Sequence, residues 1–275
     1  MKILVQDGGG VFGRIQARIM MEADCFEKFD AHVGTSIGAT LAEAYALEVP
    51  SRVSPEFFDQ WMYQIFKKEW LRSYNPLVSK YSDTGLNNAL RSVFGSLRFG
   101  DAKKPLFITA ADIGQKNLKV FSSLSSEDQR WPAWEIGRAA TAAETYFMPW
   151  KGFADGGIFA NNPSMVGLAA AVKVLGCRIE DVEILSIGTG QNSSDSGKPP
   201  RTRIGFGIWT VEAMLNGAAS SMHEYFVSAM PVKKYTRIQF VKEPGWKMDD
   251  PKCMYYAERK WALDIQDAIK IVRDF

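Results

Sequence analysis

Short apolar runs alternate with amphipathic stretches from the first residues onward, and this alternation leaves the chain few ways to fold. Runs that read as buried strands lie at 3–5, 31–33, 106–111, 118–121, 182–187 and 237–241. Between them, apolar residues recur at helical spacing over 14–22, 39–47, 55–71, 131–143, 162–175, 207–229 and 254–272. Strands alternating with helices bury their apolar faces as an α/β layered fold with a mostly parallel sheet. The stretch 191–203, QNSSDSGKPPRTR, reads as a mobile surface loop rather than a linker. At 275 residues the chain suits one large α/β domain better than two small ones. The expected organisation is therefore one domain over 1–275, with the motifs confined to about 1–190.

Charge and cysteine content exclude several functions. Lys plus Arg number 33 against 31 Asp plus Glu, a net +2, so no strong field favours nucleic acid as a partner. The three cysteines, Cys25, Cys177 and Cys253, are far apart and form no CxxC pair. That arrangement argues against a disulfide framework and against a zinc site. The N-terminal MKILVQDGGG is too short an apolar stretch for a signal peptide. No window reaches the roughly 18 apolar residues a membrane span requires. The expectation is a cytoplasmic protein, able to work at a membrane surface.

Reactive chemistry is suggested first by HVGTSIGAT, 32–40, where Ser36 stands between Gly34 and Gly38 after a short strand and before a helix-prone segment. This is the strand–turn–helix setting of a G-x-S-x-G nucleophile elbow, in which bulkier flanking residues would collide in the sharp turn. At a helix N-terminus, the dipole also favours negative charge developing beside the serine. A nucleophilic serine needs a proton acceptor, and the chain has two histidines, His32 and His223. His223 has the chain order of a Ser-His-Asp esterase, but too little chain precedes residue 36 for that fold. His32 lies on the strand entering the elbow and points away from Ser36. The other acceptor is Asp155 in KGFADGGIFANNP, followed by Gly156 and Gly157. Burial makes a carboxylate a stronger base, although a D-G-G tight turn would account for the same residues.

A second glycine cluster, DGGGVFG, places Gly8, Gly9, Gly10 and Gly13 between the first strand and a helix. It satisfies G-x-G-x-x-G, and Asp30 lies about 20 residues on, so a dinucleotide site comes into question. Asp30, however, precedes its strand instead of ending it. Consecutive backbone N–H groups aimed at one point also form an anion nest, which near Ser36 would serve as an oxyanion hole.

Together and in this order, DGGGVFG, GTSIG and DGG resemble the patatin-like phospholipase family, as do TAAETYFMP before the aspartate, ANNP after it and ILSIGTG beyond. The resemblance covers about 1–190. It implies a three-layer α/β/α fold and hydrolysis of a lipid acyl ester by a Ser36–Asp155 dyad without histidine. It further implies that the amides of Gly8, Gly9 and Gly10 hold the oxyanion, with no metal or other cofactor and no need for calcium. Two departures stand out. Phe12 occupies a loop position where family members usually carry Arg or Lys, with Arg14 two residues on, and Glu144 replaces a common proline.

Substrate access is expected at 54–71, where Phe58, Trp61, Met62, Ile65 and Phe66 form an amphipathic stripe near Trp70 and Lys67-Lys68. That stripe suits core packing, a cap over an acyl pocket, or an interfacial surface. Trp131, Trp134 and Trp150 either line the pocket or pack. A non-catalytic module binding a nucleotide or lipid is the alternative from a different class, and latency until a ligand or protein partner acts is compatible with the sequence.

Overall fold

A computed structural model describes residues 1–73, 78–192, 201–215 and 219–275. The run KILVQ forms β1 (Lys2–Gln6), the strand around which the sheet is built. Its side chains alternate between two apolar cores, Ile3 and Val5 facing one and Leu4 the other. A strand apolar on both faces is stable only with helices on both sides. The flanking strands are β2 (Ala31–Thr35), β3 (Leu106–Asp112), β4 (Asn117–Ser122), β5 (Phe153–Asp155) and β6 (Glu183–Ile187). A short β7 (Gln191–Asn192) precedes β8 (Lys234–Ile238) and β9 (Val241–Lys242). The order in the seven-stranded sheet is β4-β3-β2-β1-β6-β8, with β5 also on β3, while β7 and β9 pair separately. Pairing is parallel from β3 through β8 and antiparallel where β4 and β5 join β3.

One face is covered by α1 (Gly13–Ala23), α2 (Ile37–Ala46), α3 (Pro55–Ile65), α5 (Asp83–Phe94), α6 (Ala133–Ala140), α11 (Pro251–Lys260) and α12 (Ala262–Asp274), with α4 (Trp70–Ser73) beyond α3. On the other face, α7 (Gly157–Ala160), α8 (Ser164–Lys173) and α10 (Ala219–Ala229) lie against the sheet, and α9 (Arg203–Ala213) precedes α10. The result is the three-layer α/β/α arrangement expected from the motifs.

Several boundaries differ from expectation for physical reasons. The helix expected over 254–272 is broken at Trp261, whose indole stacks on Phe240 with centroids 4.7 Å apart and donates to the Val241 carbonyl at 3.1 Å. The helix expected over 55–71 stops at Ile65, and that over 207–229 divides into α9 and α10. The last strand begins at Lys234, earlier than its apolar pattern indicates, and α5 lies where no helix is expected. Most of the proposed surface loop, 193–200, lies outside the described residues. Cys25, Cys177 and Cys253 are free thiols. Among the described residues no helix is long and apolar enough to cross a membrane.

Candidate active site

The chain leaving β2 turns directly into α2, and Ser36 sits at the turn with φ 54° and ψ −126°. A non-glycine residue in such a region stores about 1–3 kcal/mol of strain that the surroundings must hold. Close packing does so here. A Cβ on Gly34 would fall 2.3 Å from the Gly38 carbonyl oxygen, and one on Gly38 would fall 2.3 Å from that of Gln6 at the end of β1. Both obstacles are backbone, so neither position accepts a side chain without moving the sheet. Beneath the turn, Thr35 donates to the Ala160 carbonyl at 2.6 Å and meets the Thr109 hydroxyl at 2.6 Å, tying the elbow to β3 and α7. The Ser36 side chain makes no capping bond to α2, which leaves its hydroxyl for other partners.

The glycine run after β1 packs over this elbow. A Cβ on Gly8 would lie 3.0 Å from Ser36 Cβ, and one on Gly13 would lie 2.5 Å from Ile37. Gly10 takes φ +58°, a left-handed conformation that glycine tolerates best. The amides of the run divide into two sets. Gly8 N–H donates to the Asn161 carbonyl at 3.1 Å and Val11 N–H to the Met248 carbonyl at 2.9 Å. Those of Gly9 and Gly10 have no backbone acceptor among the described residues. Thr189, in the ILSIGTG stretch, donates to the Gly8 carbonyl at 2.5 Å, and Arg237 grips both oxygens of buried Asp7 at 2.9 and 2.5 Å.

Asp155 ends β5, which its pairing with β3 brings beside β2. Its Oδ1 accepts from the Gly157 N–H at 2.8 Å, while Oδ2 is buried with no hydrogen bond of full geometry. Burial raises its pKa from an ordinary aspartate's 3.8 to about 6, partly offset by the nearby Ser36 hydroxyl and the Gly157 amide. Gly156 lets this turn approach β3, since a Cβ there would meet Thr109 Oγ1 at 2.4 Å. Ser36, Asp155 and the Gly8–Gly10 run thus converge from three separated segments. Asn161, in ANNP, is the residue that joins them: its carbonyl takes the Gly8 amide, and its side-chain oxygen would lie 2.3 Å from a Cβ on Gly8.

No hydrogen bond among the described residues joins either histidine to Ser36 or Asp155, although His223 lies beside the Asn162 backbone. His32 is buried between Phe29 and Tyr45, and burial depresses its pKa to about 3, which keeps it neutral. His223 lies on α10, where burial lowers its pKa and its ring lines an apolar groove with Met165 and Lys173. Arg14 carries no free charge toward the glycine run, being held by Glu258 at 2.5 Å and Asp59 at 3.3 Å. A cation does stand over Phe12, Lys242, with Nζ 4.5 Å from the ring centroid and its pKa pushed down to about 8 by burial. Glu144 has both carboxylate oxygens buried and unpartnered, and burial followed by the Asp155 charge raises its pKa to about 8. Nothing local in the sequence marks Arg237 or Lys242, which act through contacts distant in the chain; Asn161 falls in the ANNP stretch, but its contact with Gly8 is equally distant and not legible there.

An apolar cavity of about 60 Å³ opens beside Ser36, lined by Ile37, Met62, Ile65, Phe66, Phe147 and Met248 among others. In the stripe over 54–71, Phe58, Met62 and Ile65 are buried and Trp61 and Phe66 are half-buried against the same core, and Met62, Ile65 and Phe66 line the cavity. Trp134 packs on Trp150, and Trp131 on Phe121 and Phe153, and none of the three reaches the cavity. Met248 is held at the rim by its neighbour Asp249, which accepts from the Tyr81 hydroxyl at 2.6 Å and from Lys80.

Comparison with known proteins identifies the family. The family model described as patatin-like phospholipase matches residues 4–167, a span that includes the glycine run, Ser36 and Asp155. A cGAMP-activated phospholipase of Vibrio cholerae is 25% identical over 274 residues, spanning 85% of this chain and 77% of that protein. One from Pseudomonas aeruginosa is 26% identical, spanning 75% of this chain and 68% of the relative. The 85/88 kDa calcium-independent phospholipase A2 of Rattus norvegicus is 27% identical over 69% of this chain, but only 27% of its own length is covered. The chain belongs to the patatin-like phospholipase family and is, with that family, a hydrolase of ester bonds.

Proposed function

We propose that this protein hydrolyses acyl esters of phospholipids or other glycerolipids through a Ser36–Asp155 dyad, within a single domain spanning 1–275. The observation that carries the reading is the convergence on a strained serine of a buried carboxylate, whose Oδ2 has no partner of full geometry, and a glycine run with two amides that have no backbone acceptor among the described residues. Ser36 Oγ attacks the ester carbonyl while Asp155 takes its proton. The amides of Gly9 and Gly10 hold the oxyanion, as does Gly8 only if its bond to Asn161 opens. Asp155 returns the proton to the leaving alcohol, and water then releases the fatty acid from the acyl-enzyme. The single-domain reading is supported by β8 extending the sheet beside β6 and by α12 packing on α1.

A cavity of about 60 Å³ is small beside the roughly 300–1,000 Å³ of pockets that enclose drug-sized ligands. Met62, Phe66 and Met248 line it, and their outward movement would widen it for an acyl chain, which supports a latent resting state. Since relatives are named as cGAMP-activated, a cyclic dinucleotide is the activating ligand to try first. The test is fatty-acid release from phospholipid vesicles in EDTA, with and without that ligand. Release with EDTA present is expected for the wild type and for His223→Ala alike. Loss of release in a folded His223→Ala protein would instead favour a histidine base, and no release under any condition would favour a non-catalytic module.

A further inference from the structure

Glu144 occupies a turn whose backbone has no need of it. The amides of Tyr146 and Phe147 both donate to the Ala143 carbonyl at 3.0 Å, and Thr145 takes φ 70°. A turn with positive φ at its third residue suits proline at its second, the place Glu144 holds. The chain instead puts a carboxyl there, with both oxygens buried and no hydrogen-bond partner among the described residues. Burying a polar group without a partner costs stability, so folding gives no reason for it.

A reason lies in what the turn packs against. The Asp155 N–H donates to the Ala142 carbonyl at 3.0 Å, which holds the turn on β5. Thr141 and Ala143 line the cavity with Ser36 and Gly10, whereas Ala142 and Glu144 line a separate groove of about 500 Å³ with Ala154 and Ile158, from either side of Asp155. Segment 141–147 thus divides the serine and the glycine run from Glu144. Asp112 and Lys116 share the groove with Glu144, and Asp155 acts on it through its charge. Lys80, whose amide donates to the Thr145 carbonyl, turns its ammonium to Asp249 instead.

We propose that Glu144 is a positioning residue for proton transfer: when ionised it repels the negative charge on Asp155 and so favours the step in which Asp155 takes the Ser36 proton. The role rests on the proposed dyad. In that step the O–H bond of Ser36 breaks, an O–H bond forms on Asp155 Oδ2, and the negative charge passes to the oxyanion at Gly9 and Gly10. The charge thereby moves away from Glu144, across the 141–147 segment, and the barrier falls. Burial and the Asp155 charge raise the Glu144 pKa to about 8, so the gain appears only above that pH. Two carboxyls that interact in this way change each other's proton affinity about tenfold, and a proton-transfer barrier expresses about half of that logarithmically, a rate gain of about threefold.

The experiment is a profile of kcat/KM between about pH 5 and 9.5 on a soluble short-chain p-nitrophenyl ester, corrected for the uncatalysed rate, for wild type, Glu144→Gln and Glu144→Pro. Glutamine keeps the side chain's shape and proline suits the turn, so the two variants remove the carboxyl by independent routes. The wild type is expected to rise through about 6, where Asp155 ionises, and again by about threefold through about 8. Both variants are expected to keep the first rise and to stay level after it. The inference is overturned, with the dyad left standing, by a second rise that persists in the folded variants or by a wild-type profile that is level or falling above pH 7. Variants slowed by the same factor at every pH overturn it too, because the carboxyl would then serve only the structure. Absence of the first rise from all three proteins, or no hydrolysis at any pH, refutes the dyad and with it the role of Glu144.

Discussion

Ser36→Ala and Asp155→Asn are each expected to lower kcat/KM for ester hydrolysis by at least about three orders of magnitude, with the double variant little worse than either single one. The two groups act in one step: the hydroxyl is no nucleophile until its proton has somewhere to go, and Oδ2 of the carboxylate, unlike the Oδ1 that accepts the Gly157 amide, has no other partner of full geometry. Asn preserves the shape of Asp155 and can still accept from the Gly157 amide, so loss of activity in that variant reports the missing base and not a rearranged turn. The amide cannot accept a proton. Because burial places the Asp155 pKa at about 6, activity carried by its ionised form should rise with pH through about 6. Steady-state rates on a soluble ester between pH 4 and 8 measure both effects. An Asp155→Asn protein with a tenth or more of wild-type activity contradicts the dyad.

The same substitution is expected to stabilise the fold. Asp155 is 1% exposed, and its folded pKa of about 6 lies above the 3.8 of an ordinary aspartate. The folded protein therefore holds its proton more tightly than the unfolded chain does. Linkage then makes stability fall as pH rises between these values, and the loss is complete above about 6. At pH 8 burying the ionised group costs on the order of 1–3 kcal/mol. Asp155→Asn is free of that cost, so its Tm should exceed the wild type's by several degrees at pH 8 and match it near pH 4. Thermal unfolding at the two pH values checks this, and a variant less stable than wild type at pH 8 would mean that the charge is better solvated than its surroundings suggest. Gain of stability with loss of activity is the pattern expected of a group held for chemistry rather than for folding.

The sheet was legible because its strands are apolar on both faces, and the site because its three glycine-bearing segments have a steric reason for each glycine. The backbone collisions at Gly34 and Gly38 are the physical content of the G-x-S-x-G pattern. Elements fixed by distant partners were not legible. Trp261 interrupts a continuous helical pattern because Phe240 and the Val241 carbonyl hold its ring. In α5, Leu86, Leu90, Val93 and Phe94 are spaced for burial, but Gly85, Asn87 and Asn88 weaken the local helical signal. β5 is only three residues long and gains its order from β3. Within the site, composition could not distinguish Gly8, whose amide is engaged by Asn161, from Gly9 and Gly10, whose amides have no backbone acceptor among the described residues. Nor could spacing show that Arg14 is neutralised by Asp59 and Glu258 or that Lys242 stands over Phe12.

Activation of Ser36 as a nucleophile by Asp155 is tested most directly by labelling the folded protein with a fluorophosphonate, which bonds covalently to an activated serine and leaves a turn serine untouched, followed by peptide mass mapping. One phosphonylated site, Ser36, is expected, with labelling lost in Ser36→Ala, strongly slowed in Asp155→Asn and preserved in His223→Ala. Labelling absent from Ser36 in protein that hydrolyses esters, or undiminished in Asp155→Asn, would contradict it.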